Sequence, residues 1–181
     1  TGGQLARPRV HALDELAAAL KLSRQVIVLR TETPLAFCFG LLQPHICVSI
    51  GLADALNDKE LKAVLLHEDH HRRRYAPLRA MLAEAVGAVF FFLPVAAELR
   101  DLFLASMELE ADRHAARVIA RPVLAGALHK TLTHPLAVRS AQAAGITGLS
   151  ATEARIAELL DDHPVVLRLS ARSMILTSAA I

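Results

Sequence analysis

The chain has no tryptophan, one tyrosine and six phenylalanines, so aromatic residues make up only 4% of it. A core of stacked aromatic rings is therefore excluded, and alanine and leucine must supply most of an apolar content of 54%. That composition favours helix. Cysteine is nearly absent as well. Cys38 and Cys47 have neither the Cys-x-x-Cys spacing of a metal knuckle nor the density of a disulfide scaffold, and are expected to be buried free thiols. Charge is almost balanced, at a formal +2, too little to draw nucleic acid to the whole surface. With no basic recognition helix and no aromatics interleaved with basic residues, nucleic acid is not expected as a partner.

Long apolar runs are also missing. The longest uncharged one, Ala85 to Ala97, contains Gly87 and Pro94 and is bordered by Glu84 and Glu98. As a helix it would cover about 20 Å, against about 30 Å for a bilayer core, so it should lie buried or dip into a membrane rather than cross it. Ser173 to Ile181 is apolar too and reads as the start of a membrane span. No internal repeat or signal peptide is visible, and the chain begins at Thr1. One domain over residues 1–181, cut from a longer membrane protein, is the expectation, since 181 residues suffice for one sizeable core.

What stands out is Leu65-Leu66-His67-Glu68-Asp69-His70-His71, a His-Glu-x-x-His motif inside a helix-forming run. Because a helix turns about 100° per residue, His67 and His71 share a face and can aim two imidazoles at one point. Glu68 lies one step round, placed to take a proton from a metal-bound water. The motif thus points to hydrolysis. A solvated, charged helix face is the competing reading of five residues alone, and His70 leaves a second pairing open, with His67 at i, i+3. Catalytic zinc takes three protein ligands, so a third must come from elsewhere. Glu108-Leu109-Glu110-Ala111-Asp112 offers Glu108 and Asp112 on one helix face, with Glu110 roughly opposite. Glu108 can ligate, and Asp112 can accept the free N–H of a ligand histidine.

Around these motifs the sequence predicts a mainly helical α+β fold. A first helix is expected from Val10 to Lys21, then strands at Gln25–Arg30, Ala36–Phe39 and His45–Ile50. Gly40 to Pro44 would turn between the last two, making a small N-terminal antiparallel sheet whose edge could hold an extended peptide. The motif helix should start at an Asn57 or Asp58 cap and run to about residue 75, before Pro77. Its Arg72-Arg73-Arg74 end reads equally as a solvated terminus or a membrane-surface anchor. Further helices are expected over Leu78–Leu104 (broken near Pro94), Glu108–Arg121 (stopped by Pro122), Val123–Leu132 and Thr152–Leu160, with a loop at Gly145–Gly148.

Five blocks in order carry a family resemblance. They are Phe39-Gly40-x-x-x-Pro44-x-Ile46, Ser49-x-Gly51-Leu52, Glu60-Leu61-x-Ala63-Val64-Leu65-x-His67-Glu68-x-x-His71, Glu108-x-x-Ala111-Asp112 and Arg155-Ile156-x-x-Leu159-Leu160. Together they resemble the membrane-embedded zinc metallopeptidases of the beta-lactam-sensing antirepressor type, within the Glu-liganded group that includes the CAAX prenyl endopeptidases. The resemblance implies a zincin-like metallopeptidase domain that cleaves a protein or peptide substrate, at the cytoplasmic face of a membrane, in signal-relay proteolysis. By position it implies His67, His71 and Glu108 as zinc ligands, Glu68 as base and Asp112 as support. Membrane lipids would contact adjacent segments. The chain departs from the pattern at Ala76-Pro77, where relatives carry Asp-Pro, and at His114, where a small residue is expected. Tyr75, Arg113 and His114 are candidate oxyanion or substrate contacts. The alternative is a non-catalytic zinc-binding sensor or scaffold domain, to which an intact Glu68 would be of little use.

Overall fold

The computed structural model describes residues 6–133, 149–160, 168–170, 175 and 177. Helix α1 (Ala6–Ala19) is set by Leu13 and Ala17, one turn apart and both buried against the sheet and the helices that follow. Strands β1 (Val26–Leu29), β2 (Ala36–Phe39) and β3 (His45–Ser49) then form one sheet in the order β1-β3-β2. β2 and β3 pair antiparallel, as the turn residues between them led one to expect. Gly40 makes that turn at φ +91°, where a Cβ would sit 2.7 Å from the Gln43 carbonyl oxygen.

The sheet is not wholly antiparallel, however: β1 runs parallel to β3. Parallel neighbours need a long connection, and here the connection from β1 to β3 itself contains β2, which takes the far edge and leaves β3 the central slot. Ile46, Cys47, Val48 and Ser49 of β3 are accordingly buried. Cys38 and Cys47 are free thiols, Cys47 buried and Cys38 partly so.

A short helix, α2 (Ile50–Ala55), replaces the expected last residue of the third strand. Ser49 caps it, its Oγ accepting from the Leu52 N–H at 3.0 Å and from the Leu35 N–H at 2.8 Å. Gly51 is required by packing, since a Cβ there would lie 2.0 Å from the Glu32 carbonyl oxygen.

Helix α3 (Asp58–Arg73) carries the motif and is central to the packing. Its start is a capping box: the Glu60 N–H donates to Asn57 Oδ1 at 3.0 Å and the Asn57 N–H to Glu60 Oε2 at 2.9 Å. Leu61 and Leu65 pack with α1, α2 and β3, whereas Ala63 and Leu66 pack with Ala115, Leu124 and Leu159 on the other side. Tyr75, left-handed at φ 52°, turns the chain into α4 (Ala76–Val89), whose first turn contains Pro77.

Helix α5 (Pro94–Ala116) returns alongside α4, and α6 (Arg121–Thr133) and α7 (Leu149–Leu160) follow. Two expected boundaries are corrected. No break separates Leu104 from Glu108, because Ala105, Ser106 and Met107 all continue the helix. Pro122 lies in the first turn of α6, where a proline lacking its N–H is tolerated, instead of stopping α5. The expected Gly145–Gly148 loop, and all of Ser173–Ile181 except residues 175 and 177, lie outside the described residues.

The Ala85–Ala97 run forms the far end of the α4–α5 hairpin. It is not buried against the domain: Val89 is 65% exposed, Phe91 81% and Phe92 56%. Among the described residues no helix is long and apolar enough to cross a membrane.

Glu60 ties the start of α3 to α6, since its Oε2 also accepts from Lys130 Nζ at 2.7 Å. Burial pushes its carboxyl upward, but Lys130 and the Asn57 N–H outweigh that and leave it below its ordinary value. Its contribution is thus present above the ordinary carboxylate range and lost as pH falls through the lowered value. Glu60→Ala should cost about 1–2 kcal/mol, and about 2–8 °C in melting temperature, read by thermal unfolding at neutral pH.

Candidate metal centre

Helices α3 and α5 pack against each other and bring their polar faces together in the lining of a cleft of about 1040 Å³. His67 and His71, one turn apart, present their Nε2 atoms 3.0 Å from each other. From α5, Glu108 Oε1 lies 3.2 Å from His71 Nε2, and Glu108 Oε2 lies 3.5 Å from His67 Nε2. The other nitrogen of His67, Nδ1, is 2.9 Å from Asp112 Oδ1. Glu68 is buried and lines the same cleft.

The donor set fits a tetrahedral zinc ion. Two ligands about 2.0–2.1 Å from such an ion stand about 3.3 Å apart; the two Nε2 atoms are 3.0 Å apart, and one ligand atom from each of the three residues lies within 4.8 Å of the others. Two imidazoles and a carboxylate, with one coordination position left over, are also the ligand chemistry of a catalytic site. Among the described residues, His67, His71 and Glu108 are the one group able to hold a metal ion.

The electrostatics follow from burial set against opposite charge. Burial alone would lower His67, but Asp112, Glu108 and Glu68 outweigh it and raise its pKa to about 9. Burial also opposes ionisation of Glu108, yet the two histidines and Arg155 hold it well below the usual carboxylate range. Asp112 is lowered for similar reasons, by His67 and Arg155. Glu68 goes the other way: burial pushes it up, and the nearby histidines only partly offset this. Its place beside the two histidines, in the cleft, is where a proton acceptor for hydrolysis is needed.

His70 turns away from this cluster. Its ring centroid lies 4.8 Å from that of His114, the two planes tilted by 37°, and its Nε2 lies 3.7 Å from Glu110 Oε1. Of the two pairings open in the sequence, the structure therefore joins His67 with His71. Glu110 faces outward, towards Arg74 and Arg79. Tyr75, Arg113 and His114 are not brought to the cleft. Tyr75 is half exposed at the α3–α4 turn, Arg113 grips Glu158 on α7, and His114 lies against His70.

Two residues to which the sequence assigned no role at the site do reach the cleft. Cys38 lines it from β2, with burial, aided by Glu68, pushing its thiol up to about 12. Arg155, from α7, reaches both Glu108 and Asp112. Arg155 opens the last of the five sequence blocks, but nothing in the spacing of that block says which carboxylates it meets.

A His-Glu-x-x-His helix facing a Glu-x-x-x-Asp helix across a cleft is the arrangement of a Glu-liganded metallopeptidase. The family model described as BlaR1 peptidase M56 matches residues 3–157, and the chain belongs to that peptidase family. Among curated proteins it is similar to the protease HtpX homolog of Methanothermobacter thermautotrophicus, 31% identical over 90 residues, or 48% of this chain and 35% of the relative. The protease HtpX homolog of Caldanaerobacter subterraneus subsp. tengcongensis is 34% identical over 101 residues, 54% of this chain and 31% of the relative. Protease HtpX homolog 2 of Methanosarcina mazei is 33% identical over 101 residues, 51% of this chain and 34% of the relative. The match thus spans about a third of the length of these relatives. No solved structure matches the chain.

Proposed function

We propose that the protein is a zinc-dependent endopeptidase that cleaves a protein substrate at or near the cytoplasmic face of a membrane, in signal-relay proteolysis. The observation that carries this is the convergence of His67, His71 and Glu108 beside a buried Glu68, in one cleft. Membership of a peptidase family, and similarity to proteins named as HtpX proteases, support the class of reaction.

When bound, zinc would supply a Lewis acid that polarises a carbonyl and makes water a nucleophile near neutral pH. His67, His71 and Glu108 would hold it, and Asp112, 2.9 Å from Nδ1, would support the His67 ring. The substrate enters extended along β2, an edge strand among the described residues, whose Ala36, Phe37 and Cys38 border the cleft. Glu68 takes a proton as water attacks the scissile carbonyl carbon, then gives it to the amide nitrogen as the C–N bond breaks. The non-catalytic scaffold reading offers no use for a carboxylate buried in that cleft. Casein hydrolysis by the purified protein, abolished by a chelator and restored by zinc, is the expected result; hydrolysis indifferent to both would refute the mechanism.

Membrane contact falls to the tip of the α4–α5 hairpin. Glu84 is the last charge before it on α4, and five residues at 1.5 Å each place Val89 about 7.5 Å further on, within the 5–10 Å of an interfacial insertion. Phe91→Asp combined with Phe92→Asp is expected to cut flotation of the protein with phospholipid vesicles by about tenfold or more, since each change removes a buried ring from lipid. Undiminished flotation would place the contact elsewhere.

A further inference from the structure

We infer that Arg155 is a positioning residue of the metal centre, holding Glu108 and Asp112 in the posture from which they serve it, so that α7 is part of the site. The inference rests on the reading of His67, His71 and Glu108 as metal ligands. Arg155 Nη1 forms an ion pair with Glu108 Oε2 at 2.9 Å. Its Nε donates to Asp112 Oδ2 at 2.6 Å and its Nη2 to Asp112 Oδ1 at 2.9 Å. One planar guanidinium thus spans two carboxylates that stand a helical turn apart on α5, which a lysine ammonium could not do with the same geometry. The side chain is only 16% exposed, so these bonds form with little competition from water.

The consequence is a closed chain of contacts. His67 Nδ1 faces Asp112 Oδ1, Asp112 is forked by Arg155, Arg155 reaches Glu108, and Glu108 returns to both histidines. Asp112 is held as an anion 2.9 Å from His67 Nδ1, where its charge supports the ring whose Nε2 lies beside Glu108 and His71. Glu108 has one oxygen engaged by Arg155 and the other facing His71, so its rotation is restricted. Arg155 also places a positive charge among Glu68, Glu108 and Asp112, whose mutual repulsion would otherwise spread the site.

A plain staple between α5 and α7 is the competing account, and the protein contains the control for it. Arg113 joins the same two helices through Glu158, Nη2 to Oε2 at 2.8 Å, without touching the cluster. Zinc affinity of the wild type, Arg155→Gln, Arg155→Lys and Arg113→Gln, measured by competition with a chelator of known affinity, separates the two. Arg155→Gln should bind zinc about 10–100-fold more weakly, and Arg155→Lys should fall between it and the wild type. Arg113→Gln should keep wild-type affinity even where its melting temperature drops. Wild-type affinity in Arg155→Lys overturns the inference even if Arg155→Gln does not fold. Equal weakening in Arg113→Gln and Arg155→Gln overturns it too, in favour of the staple. A wild type that takes up no zinc refutes instead the ligand reading beneath it.

Discussion

Glu68→Gln should leave the protein folded and loaded with zinc while lowering peptidase activity by about 10²–10⁴-fold, the range of a general-base contribution. The side chain is buried, and glutamine fills nearly the same volume, so packing of α3 is preserved. None of the three converging donors is altered, so metal content should match the wild type. What disappears is the proton acceptor whose pKa burial raises and the histidines partly restore. Stability should not fall, because the change removes a buried carboxylate from beside Glu108. Zinc content by atomic absorption and hydrolysis of a protein substrate, measured on the same preparation, check the two halves of this result. Full activity in a zinc-loaded Glu68→Gln protein would require a different base.

His71→Ala should lose zinc, activity and part of the stability together. Removing the imidazole leaves Glu108 Oε1 without the nitrogen now 3.2 Å away and takes one of three donors from the site. A metal that binds only the folded state adds to its stability by mass action, about 4 kcal/mol when free zinc is a thousand times its dissociation constant. A chelator should therefore lower the melting temperature of the wild type markedly and that of His71→Ala hardly at all. Equal sensitivity of the two proteins would mean that the metal, if bound, is held elsewhere.

Much of this site was legible in the sequence because its signals are local. The i, i+4 spacing of His67 and His71 survives any tertiary arrangement, and the Asn57–Glu60 cap marks the start of the helix that carries them. The β2–β3 hairpin was legible for the same reason, from its turn residues. The family expected from the five blocks is the family matched.

What was missed depends on facing or on distance along the chain. Arg113 and His114 were candidates because they follow Asp112, yet at about 100° per residue they stand roughly 100° and 200° round the helix from it. Asp112 faces His67 and Arg155, so those two face Glu158 and His70 instead. The parallel pairing of β1 with β3 required knowing that β2 would take the outer place. An acidic residue at Glu108 resembles a helix start, but it is the packing of α5 along both α3 and α4 that keeps the helix continuous through it. Arg155 acts across tertiary space, and only the folded chain shows which carboxylates it meets.

The central claim is that one zinc ion is held by two histidines of α3 and one glutamate of α5. X-ray absorption at the zinc edge of the loaded protein, compared with Glu108→Ala, tests it most directly. The expected spectrum has about four nitrogen or oxygen neighbours at about 2.0–2.2 Å, two of them imidazoles, with one oxygen lost or replaced in the variant. A sulfur neighbour at about 2.3 Å, drawing in Cys38 from the cleft wall, or a spectrum unchanged by Glu108→Ala, would contradict it.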